Sequence, residues 1–235
     1  MKMYLSNLFT NPDMQEKYLD IFTSSFLPLV KGALYYTIPL TLITFAIGIV
    51  LAVITALMRL SNVKFFRGVA RAYVSIIRGT PLLVQLFIIF FGLPSLGVTI
   101  SPFYSAIIGF SLNMGAYNSE IIRAAILSIP KGQWEASQSI GMTTAQALKR
   151  VILPQATRVS IPPLSNSFIS LIKDTSLAST ITYTEMFRKS QEIAAQNYEF
   201  LLVYSEAALI YWMICVALSF VQDRVENRME RYVAK

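Results

Sequence analysis

The chain of 235 residues contains no histidine and only one cysteine, Cys215. Without histidine a Ser/His/Asp triad is out of reach, as are the usual zinc sites, and a lone cysteine cannot build a disulfide framework. Charge is scarce as well: 14% of residues are Asp, Glu, Lys or Arg against 54% hydrophobic, and mean hydropathy is +0.54. So little charge cannot surface a soluble domain, and the composition points to an integral membrane protein. No G-x-x-x-x-G-K-[ST] sequence occurs, so the chain is not expected to hydrolyse ATP itself. No nucleophile stands beside a base, which argues against a membrane enzyme. The formal charge of +7 comes without an aromatic-interleaved basic patch. It reads as basic loops on one side of a membrane, not as nucleic-acid binding. No cleavable signal peptide is expected, because Asp13, Glu16, Lys17 and Asp20 leave the first 25 residues without an apolar core.

What is present are long uncharged runs. Residues 1–27 read as a polar or interfacial lead-in. From Ala33 to Met58 there are 26 residues without charge, enough to cross roughly 30 Å of hydrocarbon. Gly48, Ala52 and Ala56 recur every fourth residue in this first span and form a small-residue stripe suited to close helix packing. A basic stretch with Arg59, Lys64, Arg67, Arg71 and Arg78 follows. Gly79 to Ser119 is then uncharged for 41 residues, too long for one helix, and Gly92–Gly97 divides it into spans two and three. Span three covers about 102–127 and span four about 151–172, the latter expected to be irregular because of Pro154, Pro162 and Pro163. Residues 176–197 form an external connection, 198–222 make span five with Glu206 in its outer third, and 223–235 are a cytoplasmic tail. The chain is thus a single all-α membrane domain, 28–222, of about five spans.

Polar residues fall in stripes within these spans. Asn113, Tyr117 and Glu120 share a face of span three, and Arg123 can pair with Glu120 at i+3. That pair either clamps the cytoplasmic end of the bundle or contacts a ligand. Asn166, Ser170 and Asp174 share a face of span four, and Gln85 lies in span two. Polar groups in a membrane span face the bundle interior or a water-filled path, so Gln85, Asn113, Tyr117, Asn166, Ser170 and Asp174 are candidate pathway contacts. For Asp174 the alternative is a structural position at the outer interface beside Lys173.

Between spans three and four lies the polar stretch Glu135-Ala136-Ser137-Gln138-Ser139-Ile140-Gly141. Gly132 is the expected N-cap of a short helix with Glu135 at N3, Gly141 its C′ residue, and Thr143-Thr144-Ala145-Gln146 a capping box that opens a second helix. Ala136, Ser137 and Gly141 would offer a small-residue face to another protein. On spacing alone the stretch is equally an ordinary inter-span loop.

The stretch resembles the EAA loop of permeases in binding-protein-dependent ABC importers, E-A-A-x3-G-x9-I-x-L-P. Glu135, Ala136, Gly141, Leu153 and Pro154 match, while Ser137 and Val151 are conservative departures. Arg78-Gly79-Thr80-Pro81-Leu82-Leu83-Val84-Gln85, Gly115–Arg123 and Leu171–Leu177 resemble the RGTPLL(V/L)Q, GAYxSEIxR and IKDTSL segments of the polar-amino-acid branch, which serves histidine, glutamine, arginine and cystine. The finer likeness is to permeases of Gram-positive cystine uptake systems. This resemblance implies a type I importer permease fold with a cytoplasmic EAA coupling helix formed by about residues 130–154. It further implies a second permease subunit, identical or paralogous, cytoplasmic ABC ATPases that bind the ATP and magnesium, and an extracytoplasmic amino-acid-binding protein. No cofactor is expected in this chain.

Orientation follows from basic residues. With the N-terminus outside, the cytoplasmic segments 59–78, 120–158 and 222–235 hold five, five and four of the twenty Lys and Arg. The excess supports N-out, C-in and puts the coupling loop on the ATP side. The competing class is an ATP-independent channel or secondary carrier, which has no need of an EAA loop and in many folds shows an inverted repeat, undetected here.

Overall fold

A computed structural model describes residues 12–230, with side chains to Arg228. The first eleven residues of the N-terminal segment and the last five of the tail lie outside the described residues. Within them the chain is all-helical. Helix α1 runs over Pro12–Leu60, α2 over Lys64–Gly79, α3 over Leu82–Leu96 and α4 over Pro102–Leu127. The short α5, Lys131–Ser139, and α6, Thr144–Ala147, lead into α7, Leu153–Asp174, then α8, Met186–Asn197, and α9, Phe200–Glu230.

Two expectations change. The lead-in up to residue 27 is not a separate surface element, because from Pro12 it is helical and continuous with the first span. At 49 residues, α1 is much longer than a bilayer crossing needs. Its outer part packs on α8 and α9 through Leu29, Ala33, Met186, Ala207 and Ile210. The prolines of span four do not break it either: α7 passes through Pro162 and Pro163 as α-helix. The irregularity sits before Pro154, as a π-turn at Leu148–Ile152. Two more π-turns, Ala33–Thr37 and Ile88–Gly92, precede Pro39 and Pro94. In all three the proline is the second residue after the turn. Proline has no N–H for the carbonyl four residues back and its ring crowds that group, so the chain widens into underwound i→i+5 pairing just upstream.

By length and apolarity alone α1 and α9 qualify as membrane spans, and a third arises if the bent pair α2 and α3 is counted together. Helices α4 and α7, with 26 and 22 residues, are long enough but carry the polar stripes that lower their hydropathy. Lipid is as apolar as leucine, so close packing, not transfer from water, must join these helices. The stripe in α1 does this: Ala52 and Ala56 are fully buried, and a Cβ on Gly48 would lie 2.6 Å from that of Met114 in α4. Leu40, Leu86, Phe110 and Leu171 complete a core shared by α1, α3, α4 and α7.

Outside the spans, the N-terminus of α8 is capped by Glu185. Its carboxylate accepts from the amides of Phe187 at 2.8 Å and Arg188 at 2.6 Å, and from the Tyr211 hydroxyl at 2.9 Å. Met186 N–H donates to Thr37 of α1 at 3.2 Å, so one cap ties α1, α8 and α9. Burial pushes the Glu185 carboxyl up to about 7, although these hydrogen bonds oppose the shift. A carboxyl raised on folding stabilises below its unfolded pKa, and that contribution is lost as pH rises through the folded value. The outer cluster is therefore expected to lose thermal stability between about pH 5 and pH 8. Glu185→Gln should flatten this profile in thermal unfolding of the detergent-purified protein, and an unchanged slope would remove Glu185 as its source.

Candidate functional site: a polar cavity and a cytoplasmic knob

Helices α2, α3, α4 and α7 border an open cavity of about 600 Å³ lined by Asn113, Tyr117, Glu120, Asn166, Ser170 and Asp174. The two polar stripes thus meet across one space. Asp174 makes no ion pair among the described residues. Lys173 faces a different pocket, with Tyr204, Tyr211 and Cys215. Asn166 accepts from Gln222 of α9 at 3.2 Å. Behind the lining, the buried Asn118 accepts from Ser167 at 2.6 Å and joins α4 to α7.

Gln85 does not line the cavity. Its amide donates to the carbonyls of Ile77 at 2.8 Å and Thr80 at 3.1 Å, and to the Thr80 hydroxyl at 2.9 Å. It therefore caps the end of α2, where the chain turns through 103° into α3. Thr80 is extended, as the residue before Pro81 should be, which leaves the last carbonyls of α2 without helical partners. The oxygen of Gln85 accepts from Asn113 at 3.5 Å, so the bend is connected to the lining.

That bend supplies a residue that the sequence reading missed. Arg78, counted there among the basic residues and in the RGTPLL segment but not as a pathway contact, lines the cavity with its guanidinium 5.1 Å from the centre of the Tyr117 ring. Its place at the head of the RGTPLL segment was the available signal. At the same end Glu120 pairs with Arg123 at 2.9 Å and also with Arg59 at the end of α1. The acid thus holds α1 and α4 together while one side of it faces the cavity.

The polar stretch forms a knob below α4 and α7. Helix α5 starts two residues earlier than expected, after Pro130, so Gly132 lies inside its first turn and is not the N-cap, and Glu135 lies beyond that turn. Pro130 accounts for the shift: it cannot donate an amide, and its extended ψ leads into the helix. The other end is as expected. Gly141 has φ +80°, its amide donates to Gln138 and that of Met142 to Ser137 at 3.1 Å, a Schellman closure. Thr143 and Gln146 form a reciprocal capping box.

Ser137 is buried, and its hydroxyl donates to the Gln133 carbonyl at 2.7 Å, so it does not share an outer face with Ala136 and Gly141. Glu135, Ala136, Gly141 and Pro154 are exposed, whereas Leu153 packs with Trp134 on a core of Ile126, Ile129 and Ile152. Ile140, beside Gly141, is 74% exposed at the tip, an exposed apolar side chain that the sequence reading passed over. No atom lies within 4 Å of where a Cβ on Gly141 would stand.

A helical bundle with an open polar cavity among its spans and a compact knob at one end fits the membrane subunit of a transporter. The chain belongs to the family described as binding-protein-dependent transport system inner membrane component, whose sequence profile matches residues 48–231. It is a multi-pass, non-catalytic membrane subunit of type I importer fold. It is 63% identical over 217 residues to the L-cystine transport system permease protein TcyB of Bacillus subtilis (strain 168), covering 92% of this chain and 93% of that protein. A crystal structure of an amino acid ABC transporter with histidines superposes with a TM-score of 0.79 at 35% identity, covering 91% of this chain and 96% of that one. The inward-facing MetNI methionine transporter shares the fold, with a TM-score of 0.67 at 22% identity over 88% of this chain and 97% of that one.

Proposed function

We propose that this chain is a permease subunit of an ATP-driven importer of L-cystine, working beside a second permease subunit. Cytoplasmic ABC ATPases, which hold the ATP and magnesium, dock on the knob, and an extracytoplasmic binding protein delivers the amino acid. The observation that carries a zwitterionic cargo is the cavity: one space in an apolar bundle presents both Arg78 and Asp174, a donor for carboxylate and an acceptor for ammonium. The 63% identity to a cystine permease supports the choice of amino acid. Asn166 and Ser170 are exposed in the single chain. Polar groups do not face lipid, so a second subunit or water covers that side and one chain makes half a pathway.

In the mechanism supported here, ATP-driven closure of the ATPases moves the two knobs together. Because α5 is anchored through Trp134, and the turn after α6 through Leu148, to the inner ends of α4 and α7, that movement is passed to the helices that line the cavity. Uptake of labelled cystine in a strain without its own cystine uptake tests the reading. Expression of permease, ATPase and binding protein should give saturable uptake that excess arginine or glutamine does not displace, and omission of the ATPase should abolish it. Accumulation of another polar amino acid in place of cystine would overturn the substrate, and uptake without the ATPase would favour a self-sufficient carrier.

A further inference from the structure

Helix α2 carries charge and apolar surface that neither the cavity nor the knob uses. It has three faces. Ala70 and Val74 are buried against the bundle, and the Tyr73 hydroxyl donates to the Leu112 carbonyl of α4 at 2.6 Å. Phe65, Val69 and Ile76, at helical spacing, are 71%, 47% and 63% exposed. Lys64, Arg67 and Arg71 form a third stripe, with Arg78 at its far end. No acid is present in the helix, and among the described residues these three cations make no ion pair. The level of α2 follows from its start: only Ser61, Asn62 and Val63 separate Lys64 from Leu60, at the inner end of α1. Its direction follows from the 103° turn into α3.

We propose that α2 lies in the inner-leaflet interface and binds anionic phospholipid headgroups through Lys64, Arg67 and Arg71, with the acyl chains on Phe65, Val69 and Ile76. Charge complementarity selects this occupant. Unpaired cations beside an open apolar face match a ligand that is both anionic and apolar, whereas a free phosphate would leave that face uncovered. The headgroups also bear on transport, because the last turn of α2 is held by Gln85, and Gln85 contacts Asn113 of the cavity.

The test uses the complete importer, with its ATPase and binding protein, purified from mixed phosphatidylcholine and phosphatidylglycerol. Native mass spectrometry reads retained lipid without any transport, so an error in the assigned cargo leaves this result untouched. The unaltered complex should retain phosphatidylglycerol over phosphatidylcholine, and added inorganic phosphate should not displace it. Each basic side chain near a membrane surface is worth about a fivefold preference for anionic lipid. The variant Lys64→Gln/Arg67→Gln/Arg71→Gln should therefore lose about tenfold or more of that retention, while Arg67→Lys/Arg71→Lys keeps it and ATPase co-purification is unchanged in both. In vesicles, phosphatidylglycerol should raise ATP hydrolysis by the unaltered complex and not by the glutamine variant. Equal retention of the two lipids by the unaltered complex overturns the proposal, as does displacement by phosphate. Loss of the ATPase from the glutamine variant would instead assign the stripe to ATPase docking.

Discussion

Gly141→Asp should leave the permease inserted and abundant but abolish its hold on the ATPase, with uptake reduced by more than tenfold. Two effects of the substitution have to be separated. At φ +80° an L side chain is strained, but Asp and Asn tolerate the left-handed region better than other residues, and the Schellman closure uses backbone groups only. The turn should therefore survive. The new side chain also enters space that nothing in this chain occupies, next to the exposed Ile140 and Ala136. An unpaired carboxylate in a docked interface costs about 2–5 kcal/mol, well beyond tenfold in binding. Gly141→Asn keeps the tolerance of the turn and omits the charge, so it should bind the ATPase better than Asp. Co-purification and uptake, measured with total permease in the membrane, read all three quantities. Full transport by Gly141→Asp would sink the coupling assignment.

The sequence disclosed best what depends on local rules. The closure at Gly141 and the box Thr143–Gln146 depend on a few adjacent residues, and both stand as their spacing implies. The stripe of Gly48, Ala52 and Ala56 is equally legible, since helical spacing alone puts small residues on one face. The polar faces of α4 and α7 could be drawn in the same way, but not the fact that they meet. What stayed hidden depended on bends. The turn at Thr80–Pro81 takes Gln85 out of the cavity and puts Arg78 into it. Periodicity carries no information across such a break. Glu185 was missed for a different reason: glutamate is not a favoured N-cap, and the tyrosine that steadies it lies 26 residues away. Ser137 was placed outward as a small residue beside Ala136 and Gly141, but the side of α5 that faces the chain is set by where Trp134 packs.

Asp174→Asn is expected to cut amino-acid uptake by more than tenfold while ATP hydrolysis still responds to the loaded binding protein. Asp174 lines the cavity and makes no ion pair of its own among the described residues, so its charge is available to a cargo ammonium. Removing one partner of a desolvated charge pair costs about 2 kcal/mol or more, enough for that reduction. Asparagine keeps the shape of the side chain and loses only the charge, so helix α7 should be undisturbed. Arg78→Gln should act in the same direction by withdrawing the donor for the cargo carboxylate, although its contact with Tyr117 adds a packing loss. Gln85→Ala is the contrasting variant. It frees the last carbonyls of α2 and, although it contacts Asn113, does not itself line the cavity, so uptake and thermal stability should fall together. If Asp174 instead serves only the architecture at the outer end of α7, Asp174→Asn will resemble Gln85→Ala, with stability lost alongside uptake. Reconstituted complexes assayed for uptake, hydrolysis and unfolding temperature distinguish the two patterns, and unchanged uptake and selectivity in Asp174→Asn would remove that residue from the pathway.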